Sequence, residues 1–227
     1  MAVNIDTVYQ KVLTFANKEQ RGYITPQEFN LFADQAQKEI FEQYFYDLNQ
    51  FSRIHGEDAE YIDFITNVNE KVNFFETTTT ITSGTIGGAS AINNLYRLGT
   101  VFSGNIIVEE VQPDELAILN STLLSKPTAT RPVYTRSSHT SIADYPNGIA
   151  SSCTYIKTPT KPNWGYVVVN GKAMWDPGST TDFELHPAEE NELVYKIMKF
   201  AGVSMDKINL MRAGQVQEQS MAQQEKQ

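Results

Sequence analysis

The stretch that decides the fold is residues 25–51, Thr25-Pro26-Gln27-Glu28-Phe29-Asn30-Leu31-Phe32-Ala33-Asp34-Gln35-Ala36-Gln37-Lys38-Glu39-Ile40-Phe41-Glu42-Gln43-Tyr44-Phe45-Tyr46-Asp47-Leu48-Asn49-Gln50-Phe51. Thr25 can cap a helix, Pro26 suits its first turn, and Glu28 completes a capping box. Phe29, Ala33, Ala36, Ile40, Tyr44, Leu48 and Phe51 then recur at helical spacing. Phe32, Phe41 and Phe45 widen that stripe beyond one face. The pattern predicts a helix of roughly 39 Å with apolar surface on two sides, which demands neighbours on both.

Working outward, Ile5, Val8, Val12, Phe15 and Ala16 mark a short helix over Ile5–Asn17, and Ile62, Ile65, Val68 and Val72 mark a third. The texture changes after Phe74. Glu76–Thr82 is β-branched and suits a strand, and Gly84, Gly87 and Gly88 read as a turn. Leu95–Gly99 reads as a helical turn, Val101–Val108 as β, and Pro113–Leu124 as a short helix. Short β runs follow at Val133–Arg136, Ala150–Lys157, Tyr166–Val169 and Ala173–Trp175. Asn170-Gly171 between the last two is a hairpin signal. Helix returns at Pro187, with Leu193, Ile197 and Phe200 on one face and Gly202 as its stop. A last helix is expected from Ser204 through Met211. The expected class is α+β: a helical bundle from both chain ends, residues 1–75 and 186–227, with a β-rich insertion at 76–185.

Composition bounds the rest. The 227 residues are 41% hydrophobic, which gives enough apolar surface for a core and excludes a fully disordered chain. No apolar run is long enough for a membrane span, and the opening residues show no secretory leader pattern, so neither is expected. A single cysteine, Cys153, excludes an intrachain disulfide. The net charge of −9 has no basic stripe within it, which argues against grip on a nucleic-acid backbone. Residues 1–75 hold 12 acids and 6 bases, a balance of −6. Charge alone reads best as keeping the chain soluble, with a passage through which DNA slides without sticking as the alternative.

Candidate chemistry is thin. Asn17–Glu28 has the spacing of a calcium loop, but Arg21 stands where an oxygen ligand belongs and the capping box already accounts for Glu28. Ser83–Gly88 follows a strand but lacks the dinucleotide-loop pattern. Ser138, His139 and Asp144 hold the letters of a hydrolase triad without a nucleophile elbow, so His139 reads as a loop residue. Cys153 reads as a small buried filler, and Glu109-Glu110 and Glu189-Glu190 as solvated positions or a helix first turn. Trp164 and Trp175 read as core anchors beside the hairpin, with carbohydrate contact as the rival. No catalytic residue, cofactor or metal is expected. The stretch 215–227 carries 6 Gln in 13 residues, with Val216 and Met221 its only large apolar groups. It has too little to bury to fold alone, so docking on a partner is expected.

Several segments taken in order resemble one family. They are Ile24–Phe29 with Gln35–Phe41, Leu95–Gly99, Glu109–Glu115, Tyr155–Tyr166 with Pro162-Asn163-Trp164-Gly165, and Glu192–Ile197 ending in Ala201-Gly202-Val203. Together they resemble virion structural proteins of short-tailed bacteriophages, particularly of crAss-like phages and their marine relatives. The resemblance implies a non-enzymatic subunit of a ring in the head–tail connector. Such a ring stands between portal and tail, with twelve copies by analogy with portal symmetry. It would be assembled in the host bacterial cytoplasm and resident in the virion neck. Implied partners are further copies, the portal protein and other neck or tail proteins, with non-adhesive contact to passing viral DNA and no membrane. Partner-facing residues on this reading are Met211, Val216 and Met221 near the end of the chain and Phe32, Phe41 and Phe45 on the long helix. Alternatives are another virion role (fibre adaptor, plug or cargo), a small acidic hydrolase with its site in the β-rich part, or a host-surface binding module.

Overall fold

A computed structural model describes residues 3–18, 24–53, 59–88, 92–204, 215–217, 219 and 220. The chain divides into two units, one of residues 1–74 with 159–227 and one of residues 75–158.

In the first unit the helices are α1 (Ile5–Lys18), α2 (Pro26–Arg53), α3 (Ala59–Asn73) and, later in the chain, one at Glu190–Ser204. The capping box at the start of α2 forms. Glu28 accepts from the Thr25 backbone N–H at 2.9 Å and from its hydroxyl at 2.7 Å, and Thr25 Oγ1 accepts from the Glu28 N–H at 3.3 Å. Those two bonds hold the Glu28 carboxyl below its ordinary range, the backbone donor contributing most. The α2 stripe Phe29, Ala33, Ala36 and Ile40 is buried, as are Ile5, Val8 and Val12 of α1 and Leu193, Val194 and Ile197 of the last helix.

The expectation of a helical bundle from both chain ends is corrected. The fold is mixed α/β, α+β overall, and the β-rich insertion does not take all of residues 76–185. Residues 159–185 lie with the helices instead. This Pro- and Asn-rich stretch supplies Trp164, Phe183 and Leu185 to the helical core, where all three are buried. Its backbone is tied down by two amides on α2. Asn30 Oδ1 accepts from the Trp164 N–H at 2.8 Å while its Nδ2 donates to the Trp164 carbonyl at 3.3 Å. Two helical turns further on, fully buried Gln37 donates from Nε2 to the Thr160 carbonyl at 2.8 Å and accepts at Oε1 from the Glu184 N–H at 3.1 Å. Helix faces that could have met each other are thus covered by extended chain, because side-chain amides satisfy the backbone groups that burial would strand.

The second unit holds β1 (Glu76–Thr82), β2 (Thr85–Ile86), β3 (Leu95–Ser103), β4 (Ile106–Glu110), α4 (Pro113–Ser121), β5 (Val133–Arg136), β6 (Ile142–Tyr145) and β7 (Ser152–Lys157). The seven strands form one sheet in the order β2-β1-β7-β3-β4-β5-β6. Its two edges meet. Thr85 bridges to Ser141, the Ile86 N–H donates to the Thr140 carbonyl at 3.0 Å, and the Ile142 N–H donates to the Gly84 carbonyl at 2.8 Å. The sheet is therefore nearly closed into a small barrel, which leaves few open edges. Two register shifts in β3, one of them spanning Gly99, supply the bend that closure requires. Inward residues alternate with outward ones and build the core: Ile81, Ile86, Val101, Val108, Tyr134, Ile142, Cys153 and Tyr155. On the outside, Val133 packs with Val111 and Leu116 beneath α4.

Three smaller expectations change. Leu95–Gly99 is strand, not helix, because it pairs with β7. Val101–Val108 breaks at Gly104 and becomes a hairpin of β3 and β4. Gly202 does not stop its helix, which runs through it to Ser204. The last helix expected through Met211 lies outside the described residues except for Ser204.

Candidate interaction surfaces

Two groups of large apolar side chains are left exposed, the members of each group side by side. The first is the hairpin of β8 (Tyr166–Val169) and β9 (Lys172–Trp175) in the first unit, followed in the chain by α5 (Glu190–Ser204). It is a sheet of two strands only. Asn170 and Gly171 form its turn, both with φ above +50°, a conformation Asn and Gly adopt most readily. Val167, Val168, Val169, Met174 and Trp175 are all exposed, Val168 by 63%. Neighbouring residues of a strand face opposite sides, so three valines in a row make both faces of the hairpin apolar. Two-stranded hairpins are marginal in water on their own. This one is held at its root. Trp164 is buried against Tyr9, ring centroids 4.2 Å apart, and its Nε1–H donates to Asp6 at 2.9 Å. Asp176 accepts from the Gly178 N–H at 3.0 Å and from the Ser179 hydroxyl at 2.8 Å.

The second surface belongs to the other unit. A groove of about 570 Å³ runs beside β4 and α4 and is lined in part by Ile107, Ile118, Leu124, Glu109, Glu115 and Arg131. Leu123 and Leu124, just past α4, are 98% and 99% exposed, and Ile107 and Ile118 are exposed as well. Contiguous exposed apolar residues of this kind mark interaction sites in stable proteins.

The residues expected to face partners are scattered. Val216 is 63% exposed, and Met211 and Met221 lie outside the described residues. Phe41 is buried within the first unit, edge to face with Phe45 at 5.0 Å, and Phe32 lies 6.4 Å from Phe200. Trp164 is a core anchor as expected, whereas Trp175 is exposed, its Nε1–H donating to Thr180 Oγ1 at 3.0 Å. Neither surface above was read as such from the sequence. The run Val167-Val168-Val169 was the available signal, since no two-stranded hairpin can hide it on one face.

The chemistry-bearing residues are engaged in structural roles. Buried Asp144 accepts from the Ala150 N–H at 2.8 Å, and His139 Nε2–H donates to the Leu95 carbonyl at 2.7 Å, so the triad letters do not converge. Cys153 is buried in the barrel, and desolvation pushes its thiol up to about 11. The Tyr134 hydroxyl, which donates to Glu110 at 3.1 Å, is shifted upward by burial and then by that carboxylate. Ser83–Gly88 is the β1–β2 turn with its second strand. Residues 19–23 of the calcium-type loop lie outside the described residues.

Glu189 and Glu190 stand in helix first turns, one of the two places expected for them, but Glu189 is not solvated. It is buried and paired with Lys71 Nζ at 2.7 Å, at the edge of a cleft of about 380 Å³ that also shows Tyr44, Asp47, His186 and Glu192. Glu192 lies 3.4 Å from Lys196, and His186 Nδ1 accepts from the Ala188 N–H at 3.3 Å. Lys71 and Lys196 thus stand beside Glu189 and Glu192, as buried carboxylates require. Among the described residues no group of three or more His, Cys, Asp or Glu could hold a metal ion, and no helix is long and apolar enough to cross a membrane. No protein-family model matches the chain, and no curated protein matches it.

Proposed function

We propose that this protein is a bacteriophage virion structural protein, a subunit of a ring in the head–tail connector between portal and tail, acting by assembly. The observation that carries the reading is the β8–β9 hairpin with both faces apolar and exposed. A chain with no partner gains nothing from such a tongue, while a subunit of an assembly gains an interface. The groove beside α4 supports the same reading. The ordered resemblance of the sequence to neck proteins supplies the particular assembly, with twelve copies by analogy with portal symmetry. The acidic balance of residues 1–75 suits a passage for DNA that must not adhere to its walls. The Gln-rich stretch 215–227 would order on a neighbouring neck or portal protein, its ordering cost offset by the surface it covers.

The test is electron microscopy and sedimentation of the purified full chain, alone and with its portal. Closed rings that seat on the portal are expected. A chain that stays monomeric alone and with the portal, and turns over a small substrate, would sink the proposal.

A further inference from the structure

We infer that the β8–β9 hairpin of one copy docks into the groove beside β4 and α4 of a second copy, adding a strand to the open part of β4. The inference rests on the assembly reading and names its partner, a second copy of this chain.

The backbone of the groove favours a strand as its occupant. The Glu109 N–H donates to the Pro132 carbonyl at 3.2 Å and the Val111 N–H to the Tyr134 carbonyl at 2.9 Å. Odd-numbered residues of β4 therefore turn their backbone toward β5. Ile107 turns the same way, but β5 pairs with β4 only at Glu109 and Glu110. Ile107 sits opposite Phe102 on β3, and the Phe102 carbonyl is committed to the Ser151 N–H at 2.9 Å on the far side. The N–H and C=O of Ile107 thus point to the floor of the groove, where a strand edge can meet them.

The side chains agree. The tongue offers Val167, Val168 and Met174, and the groove offers Ile107, Ile118 and Leu124, all exposed in the single chain. Charge also matches. The tongue has exposed Lys172 at its tip and Asp176 at its root, and the groove carries Glu109 and Glu115 on its β4–α4 side and Lys126 and Arg131 on its loop side. Each partner thus carries both signs, so a charge on the tongue finds an opposite one in the groove. A convex surface on one unit and a concave one on the other make a head-to-tail contact, the kind that closes into rings when the rotation per copy allows.

The test uses the full chain carrying one added cysteine. Val168→Cys and Ile118→Cys proteins are mixed and oxidised. A covalent species of twice the chain mass is expected in the mixture and in neither protein alone. Met174→Cys with Leu124→Cys is a second pair on the other tongue face, in case one substitution disturbs folding. Native Cys153 is buried and does not compete. A crosslink between two Val168→Cys chains alone means tongue against tongue and overturns the proposal. A crosslink of Ile118→Cys to Met221→Cys, with none to the tongue, gives the groove to the Gln-rich tail and also overturns it. No crosslink from either pair in a chain that sediments as an oligomer overturns the contact and leaves the assembly reading standing. A chain that is monomeric throughout overturns both.

Discussion

Replacing Trp164 with alanine should unfold the first unit's support for the tongue, and the size of the effect can be worked out from its surroundings. Trp164 is 3% exposed. A buried tryptophan hides about 150–250 Å². At about 25 cal/mol per Å² this is worth about 4–6 kcal/mol. A compact denatured chain hides part of that area already, which lowers the figure to about 3–5 kcal/mol, the usual range for Trp→Ala in a core. The polar part is separate. The indole N–H donates to Asp6 at 2.9 Å, but Asp6 is half-buried, so water can replace the donor. Trp164→Phe keeps a ring against Tyr9 but loses that bond and part of the indole's buried volume, for about 1–3 kcal/mol. The chain has 2 Trp, so in either variant the remaining fluorophore is Trp175, which lies in the same unit. Urea unfolding followed by Trp175 fluorescence and far-UV circular dichroism should place Trp164→Ala about 3–5 kcal/mol below the parent, a fall of about 6–20 °C in Tm. Trp164→Phe should lie between the two. A Trp164→Ala loss below about 1.5 kcal/mol, or a Phe variant as damaged as the Ala variant, would refute the claim that ring packing anchors the hairpin.

Other consequences are as direct. A Cβ at Gly165 would stand 2.7 Å from the Ser179 backbone carbon and 2.8 Å from the Asp176 carbonyl oxygen, so Gly165→Ala should destabilise by about 1–3 kcal/mol in the same unfolding assay. The Glu28 carboxyl is held below its ordinary value of 4.5, so its contribution is complete above that pH and is lost as pH falls through the lowered folded value. An NMR titration should give a Glu28 midpoint below 4.5, and Thr25→Ala should return it toward the ordinary value. The Cys153 thiol, pushed up to about 11, should resist alkylation at pH 8 in the folded chain and react at once in urea; fast labelling without denaturant would contradict its place in the barrel core. Val168→Asp should leave the melting temperature within about 1 °C while reducing the sedimenting oligomer, because the side chain touches water in the single chain.

The local elements were legible wherever one short-range signal acted without rivals. The Thr25–Glu28 capping box and the stripe from Phe29 to Ile40 specified α2, because a cap and a period of 3.6 need only near neighbours. Asn170-Gly171 specified its hairpin for the same reason. Leu95–Gly99 misled because what makes it a strand is pairing with β7, a partner more than fifty residues away. Glu189 took the helix first turn that was one of its two readings, but its burial was not legible, because it depends on Lys71, which only the packing of α3 brings to 2.7 Å. Of the candidate surfaces, the hairpin strands were readable, but their exposure was not.

Short-range patterns in the sequence determined α1, α2, α3 and α5, the β-rich middle and the hairpin turn. Tertiary structure alone decided that residues 159–185 join the helices and that seven strands nearly close on themselves. It also decided that two sets of apolar side chains stay in water. The physical reason lies in range. Capping, periodicity and turn preference are energies between residues a few positions apart, whereas burial is a property of whichever distant surface arrives first to exclude water. Asn30 and Gln37 illustrate it: two polar residues on a helix carry no signal for the segment they hold, until its backbone is beside them.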